Sequence, residues 1–308
     1  MKIAIIGAGL IGRAWAIVFA RGGHTVTLFD SDTKQSATAL EWVKTALDDM
    51  HSFDLISDSE AIRNQITAAS SLPEALDQCR YVQENIAEQL EPKQALFAEV
   101  EALAPKDAIL ASSSSALRPS LIFANIKTPQ RCLVVHPMNP PHLAPIAELC
   151  GSEKTSAETV DRTRAIMLEC GMTPIVVKRE IDGFILNRLQ SSLLNEAFRL
   201  IAFGYVTPED LDKTLSDGLA LRWSFMGPVE TIDLNAPLGV ADYMQRYGPT
   251  IRRIATPPKG EETWPDSVGG IMEAARRAQV PKDRLAAAQA WRDRRLMALA
   301  AHKKQAEK

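Results

Sequence analysis

The first thirty residues constrain the fold more than any other part of the chain. Lys2 to Ile6 is an apolar run, Gly7-Ala8-Gly9-Leu10-Ile11-Gly12 follows at once, an apolar stretch runs from Gly12 to Arg21, and a second short run covers Thr25 to Asp30. A strand that ends in spaced glycines and opens a helix is the signature of a dinucleotide-binding turn. Strand, helix and strand within about thirty residues is the length of one βαβ unit. Gly7 allows the tight turn, Gly9 lets backbone amides approach a pyrophosphate, and Gly12 lets the helix pack close to the strand. The whole fingerprint, with Leu10 and Ile11 between its last two glycines, is read as cofactor-binding. The phosphates would meet a helix N-terminus. Asp30 closes the second run about twenty residues past the last glycine, where a carboxylate accepts hydrogen bonds from ribose hydroxyls. It would repel a 2'-phosphate and no arginine directly follows, so NAD is expected rather than NADP. The same stretch has the charge and apolar content of an export signal, but its glycines stand where a strand, turn and helix need them.

Further short apolar runs at Tyr81 to Ile86, Ala108 to Ala111, Cys132 to His136 and Pro174 to Lys178 alternate with helix-like segments. This alternation predicts an α/β fold: an N-terminal Rossmann-type, mainly parallel, doubly wound sheet over residues 1–182. Beyond Asp182 the texture changes. Phe184, Ile185, Leu189, Leu193, Ala197, Leu200 and Ile201 recur at helical spacing, Gly204 ends that helix, and Thr207-Pro208-Glu209-Asp210 starts another. Residues 183–308 are expected to form an all-α domain for substrate binding and dimerisation.

The chemistry is concentrated in RCLVVHPMNPPHLAPIAELCG, residues 131–151, which puts His136 at the end of an apolar run and Glu148 twelve positions later. A dehydrogenase needs an imidazole to take a hydroxyl proton and a carboxylate to orient and charge that imidazole. The proline-rich loop after His136 lies at the carboxyl end of a strand, where ligands bind in open sheets. Four serines in ASSSSAL, residues 111–117, close another run at the same edge. Any single one of them is better suited to capping a helix than to catalysis, though one of the four could reach a substrate hydroxyl. Asn187, early on the long helix, needs a hydrogen-bond partner, either at the site or between the domains.

A formal net charge of -3 gives no broad positive field, so nucleic acid and anionic membrane are not expected as partners. Cys79, Cys132, Cys150 and Cys170 form neither a CxxC pair nor a dense framework, so no metal site is expected and a reduced, cytoplasmic compartment is the default. No later apolar run reaches the roughly 18 residues of a membrane span.

GAGLIG, the serine cluster, HPMNPP and DGFILNRL together resemble the 3-hydroxyacyl-CoA dehydrogenase superfamily over almost the whole chain. SSSSAL, HPMNPPHLAPIAEL, NEAFRLI, SDGLALRWSFMGPVETIDLN and WRDRRLM resemble its lambda-crystallin branch, that of L-gulonate 3-dehydrogenase. The resemblance implies His136 as the acid/base with Glu148 as its partner. It also implies Ser115 and Asn187 at the reacting oxygen or the nicotinamide, Glu88, Lys93 and Asn139 on the cofactor side, and a homodimer formed through the helical domain.

Two departures bear on the substrate. Acyl-CoA members carry a basic helical region after the second strand, whereas here Glu41, Asp48, Asp49, Asp54, Asp58 and Glu60 stand against Lys44 alone. That charge would repel a phosphorylated adenosine, although a solvated face explains it equally. Arg222, in LALRWSFMGP, offers a planar guanidinium suited to a free carboxylate or to an ion pair within the protein. The expected reaction is therefore NAD-dependent oxidation of a free hydroxy carboxylate, a sugar acid such as L-gulonate foremost. Carnitine, whose ammonium Trp223 could face, an acyl-CoA, and a non-catalytic NAD-binding role are the alternatives.

Overall fold

The computed structural model describes residues 1–306. Among them one sheet is built from β1 (Lys2–Ile6), β2 (Thr25–Phe29), β3 (Ile66–Ala68), β4 (Tyr81–Glu84), β5 (Ile109–Ser112), β6 (Cys132–Pro137), β7 (Ile146–Cys150) and β8 (Thr173–Val177). The spatial order is β3-β2-β1-β4-β5-β6-β7-β8, and every neighbouring pair is parallel except β6 and β7. The expected α/β sheet is present, followed by helices.

The central strands β1, β4, β5 and β6 are buried because both faces of the sheet are covered there. Ile3 and Ile5 of β1 enter one core with Trp15, Phe19, Val43, Leu47 and Met50, while Ala4 and Ile6 enter the other with Phe97, Val100 and Phe123. Each fully buried isoleucine contributes roughly 1.5–3 kcal/mol relative to exposure. The helices Leu10–Arg21 and Thr33–Ser52 supply the first core and the helix Leu90–Leu103 the second.

Two strands depart from the sequence expectation. β3 has only three residues, too few for a periodic signal, and β7 follows a proline-rich loop and contains Glu148. Both are held by neighbours distant in sequence, β3 by β2 and β7 by β6 and β8.

The chain packs as two compact units, Met1–Arg188 with the chain from Gln289 onward, and Leu189–Ala288. The expectation had put everything after Asp182 in the second. Phe184 and Ile185, read as the start of the long helical stripe, precede the helix Leu186–Ala202. Phe184 adopts the left-handed region, φ 50°, and its ring is fully buried in the second core of the first unit. Near the other end, Met297 is buried in the first core and Lys304 Nζ donates to the Asp54 carbonyl at 2.8 Å.

The second unit is helical. Thr207 caps Pro208–Lys213 by accepting from the Asp210 N–H, as its sequence predicts. The helices Val240–Ile254 and Val268–Gln279 follow. No helix among the described residues is long and apolar enough to cross a membrane.

Candidate active site

Strand register lines the site up along one edge. Ile6, Glu84, Ser112 and Val134 are successive partners across β1, β4, β5 and β6. The chain therefore leaves these parallel strands on one side, at Gly7, Asn85, Ser113 and, slightly further on, His136 and Pro137.

At β1 the glycine turn is sterically specified. Gly7 has φ +91°, and a Cβ there would come 2.8 Å from the Asn85 carbonyl group. A Cβ on Gly12 would lie 1.8 Å from the Gly7 oxygen, so no side chain fits. A Cβ on Gly9, by contrast, meets no protein atom within 4 Å. The backbone is bare there towards open space, which suits close approach by a ligand. Gly9 opens the helix Leu10–Arg21 with no side-chain cap and no acid in the first turn, leaving its first amides for an anion. Leu10 is exposed at this turn, while Ile11 packs against the first core. Asp30 Oδ2 accepts from the Ala8 N–H at 2.7 Å and Oδ1 from the Asp32 N–H at 3.0 Å, which fixes the carboxylate beside the turn. These residues fit a dinucleotide.

His136 and Glu148 are directly paired residues of the antiparallel β6 and β7, with Nδ1 to Oε2 at 2.9 Å, and both are buried. The other oxygen, Oε1, accepts the Ile185 and Leu186 N–H groups at 2.8 and 2.9 Å, so Glu148 also satisfies the start of the helix Leu186–Ala202. Burial alone would raise its pKa. The His136 hydrogen bond and the two amides outweigh that and hold the carboxyl below its ordinary value. An ionised carboxylate only accepts, so Nδ1 carries the proton and Nε2 has its lone pair free. Among the described residues Nε2 has no partner, and it is not one of the sealed, unpartnered atoms. The Phe184 ring lies against the imidazole with centroids 5.6 Å apart.

The serine cluster separates by partner. Ser112 donates to Glu84, Ser113 accepts from Trp15 and Gln83 and donates to Asn85, and Ser114 donates to Glu88. Of the four, Ser115 has a hydroxyl with no partner among the described residues. Its carbonyl accepts from Asn187 Nδ2 at 2.7 Å, leaving the second N–H of that amide and its oxygen uncommitted. Asn187 thus makes its structural bond within the first unit.

Glu88 Oε1 accepts the N–H groups of Ser115 and Ala116, both at 2.9 Å, and of Leu117 at 3.3 Å. Although partial burial works the other way, the bonds from Ser114 and this turn and the charge of Lys93 hold Glu88 below the usual carboxylate range. Lys93, expected on the cofactor side, is almost fully buried, and its Nζ faces Glu84 at 2.6 Å, the Ile86 carbonyl at 3.2 Å and Glu88 at 3.6 Å. Glu84 and the Ile86 carbonyl accept hydrogen bonds from it, and Glu88 adds a second opposite charge at ion-pair distance. Sequence reasoning missed Glu84, an acid inside a wholly buried strand segment whose only outward signal is its polarity. Burial pushes its carboxyl up, with the Lys93 charge and the Ser112 bond offsetting part of the rise.

Asn139 is exposed on the loop after β6. In the second unit Arg222 is exposed, and its guanidinium has no partner within that unit among the described residues. It lines a hollow of about 560 Å³ with Leu219, Leu221 and Phe225. No group of residues suited to holding a metal occurs among the described residues, and all four cysteines are free and buried.

Comparison with known proteins accords with this geometry. Residues 2–181 match the model of the 3-hydroxyacyl-CoA dehydrogenase NAD-binding domain, and residues 183–262 that of the C-terminal domain of the same family. The chain is 42% identical to the lambda-crystallin homolog of Bos taurus, covering 98% of this chain and 96% of that one. It is 32% identical to an L-carnitine dehydrogenase of Streptomyces coelicolor, covering 89% and 87% of the two chains. A solved NAD+-dependent dismutase, 5-formyl-3-hydroxy-2-methylpyridine 4-carboxylic acid 5-dehydrogenase, superposes with a TM-score of 0.82 at 27% identity, covering 97% of each chain. The chain belongs to the 3-hydroxyacyl-CoA dehydrogenase family and is an NAD-dependent dehydrogenase acting on CH–OH groups.

Proposed function

We propose that the protein oxidises the hydroxyl of a free hydroxy carboxylate, a sugar acid such as L-gulonate foremost, with His136 as the base and Glu148 as its partner. The observation that carries this reading is the 2.9 Å bond between His136 Nδ1 and Glu148, which leaves Nε2 free to accept a proton. Bound NAD supplies the hydride acceptor. As the substrate C–H leaves as hydride, Nε2 takes the hydroxyl proton and Glu148 stabilises the imidazolium so formed. The Ser115 hydroxyl and the spare N–H of Asn187 donate to the oxygen while it bears partial negative charge. Gly7, Gly9, Leu10, Ile11, Gly12 and Asp30 hold the adenosine and pyrophosphate end, with Glu88 and Asn139 on the nicotinamide side. Lys93 acts there through Glu88.

Arg222 is assigned the substrate carboxylate, supported by a guanidinium with no partner in its own unit among the described residues. The exposed acids Glu41, Asp48, Asp54, Asp58 and Glu60 support a substrate without a coenzyme A handle. Likeness to the lambda-crystallin homologs favours a sugar acid. A carnitine-like substrate is the second reading, favoured by the exposed Trp223 beside Arg222 and by the relatives named L-carnitine dehydrogenase. The exposed Leu221, Phe225, Leu234, Leu238 and Ile254 support a homodimer through the helical unit, and four free thiols suit the cytoplasm.

The test is NADH formation with L-gulonate, carnitine and 3-hydroxybutyryl-CoA in parallel. Turnover of L-gulonate above the other two is expected, and turnover of the coenzyme A ester alone would overturn the reading. His136→Ala should lower kcat by about 10²- to 10⁴-fold, the usual worth of general-base catalysis, while NAD still binds. If that variant keeps most of its activity, the base is another group.

A further inference from the structure

We propose that Glu84 is a positioning residue for the Ser115 turn, acting through two separate arms. This rests on the assignment of Ser115 to the reacting oxygen. Glu84 is fully buried at the end of β4, next to Ser112 in register.

One arm is direct. Glu84 Oε2 accepts from the Ser112 hydroxyl at 2.5 Å, and Ser112 Oγ accepts the Ser114 N–H at 3.2 Å, which sets the chain as it leaves β5. The other arm runs through charge. Glu84 Oε1 accepts from Lys93 Nζ at 2.6 Å and from the Ile86 N–H at 2.7 Å. Lys93 also faces Glu88, whose Oε1 gathers the N–H groups of Ser115, Ala116 and Leu117. Held between two carboxylates, Lys93 keeps Glu88 aimed at those amides. The turn then presents the Ser115 carbonyl to Asn187 and leaves the Ser115 hydroxyl uncommitted.

A carboxylate suits this position. Without Glu84, the buried Lys93 ammonium would have Glu88 as its one charged partner and would draw it off the turn. Glutamine at residue 84 would keep the shape but lose the charge and place an amide against Ser112 or Lys93.

The experiment compares Glu84→Gln with the double variant Glu84→Gln/Lys93→Met. The single change strands a buried cation and can prevent folding. The double change removes both charges at similar volume and is expected to restore the melting temperature. Hydrogen exchange of the peptide covering Ser115 to Leu117 and kcat with the best hydroxy acid are then read on the stable double variant. Faster exchange in the turn, with kcat down on the order of a hundredfold as for a misplaced reacting group, is the expected result. Parental exchange overturns the proposal, and so does activity that recovers along with the melting temperature while exchange stays parental. Fast exchange with undiminished kcat upholds Glu84 as the support of the turn and instead removes Ser115 from the chemistry, a result Ser115→Ala would reproduce independently.

Discussion

His136 and Glu148 face each other as one rung of the antiparallel ladder between β6 and β7, so the imidazole and carboxylate meet because strand register puts them on the same face. β7, with β8 parallel beside it, runs opposite to the other six strands, and this reversal makes the pairing possible. The same carboxylate accepts two amides at the start of the helix Leu186–Ala202, and its two oxygens therefore have different tasks.

Those tasks can be separated with Glu148→Gln. A glutamine oxygen can still accept the Ile185 and Leu186 N–H groups, but its NH2 turned to Nδ1 would force the imidazole proton onto Nε2, where it blocks proton uptake. At neutral pH we expect kcat to fall by about 10²- to 10⁴-fold with the helix start retained in a parental circular dichroism spectrum. The folded pKa of Glu148 lies below its ordinary value of 4.5. Its contribution to stability is thus fully present above 4.5 and is lost as the pH falls through the lower folded value. Thermal melts should show parent and variant converging below pH 4.5, and a constant gap would contradict the assignment.

Gly9 and Gly12 should part company on substitution by alanine. Gly12→Ala places a Cβ 1.8 Å from backbone oxygen, and overpacking of this kind costs typically 1–3 kcal/mol and occasionally more. Gly9→Ala meets no protein atom, so its stability should stay within about 0.5–1 kcal/mol of the parent while the KM for NAD rises. Urea unfolding alongside cofactor titration distinguishes the two. Equal loss of stability would mean that Gly9 serves only the fold.

Arg222→Met removes an exposed guanidinium that has no partner within its own unit among the described residues. The KM for the hydroxy acid should rise roughly 10- to 100-fold, the worth of hydrogen bonds to a charged group. The KM for NAD and the melting temperature should barely move. An unchanged hydroxy-acid KM would place the carboxylate anchor elsewhere.

His142 makes the fold acid-sensitive. Its ring packs edge-on to Trp42 with centroids 5.3 Å apart, and its Nδ1 is buried without a partner. Burial brings its pKa down to about 4 from 6.5, with Arg21, Arg13 and Arg292 working in the same direction and Asp293 against them. Below 6.5 the unfolded chain takes up a proton that the folded one refuses, so stability falls as the pH drops from 6.5 towards 4, by something of order 3 kcal/mol. In His142→Phe this part of the acid slope should disappear. Urea midpoints across that pH range give the answer, and an unaltered slope would rule His142 out as its source.

The glycine turn, Asp30 and the buried strands are legible in the sequence because each depends on neighbours close along the chain. Gly7 needs its positive φ whatever surrounds it, and Lys2–Ile6 reads as a strand because both sides of it are apolar. The sequence offers Glu148 as the partner of His136 but not the strand that carries it, since Ile146–Cys150 includes an acid, follows a proline-rich loop and is held as β7 by its ladder with β6. The serines illustrate the same limit. Four adjacent hydroxyls look alike to a reading of the residues, family resemblance alone points to Ser115, and the physical difference is that Glu84, Asn85 and Glu88 engage the other three. Glu84 escaped notice because its company, Ser112 and Lys93, is assembled by sheet register and by a helix packed beneath it.

Because the ladder rather than the intervening segment determines where the imidazole meets its acid, residues 138 to 145 are spared the job of holding them together. The exposed members of that stretch, Met138 and Asn139, can change character without disturbing that rung, whereas His142 and Leu143 further along are buried and belong to the fold.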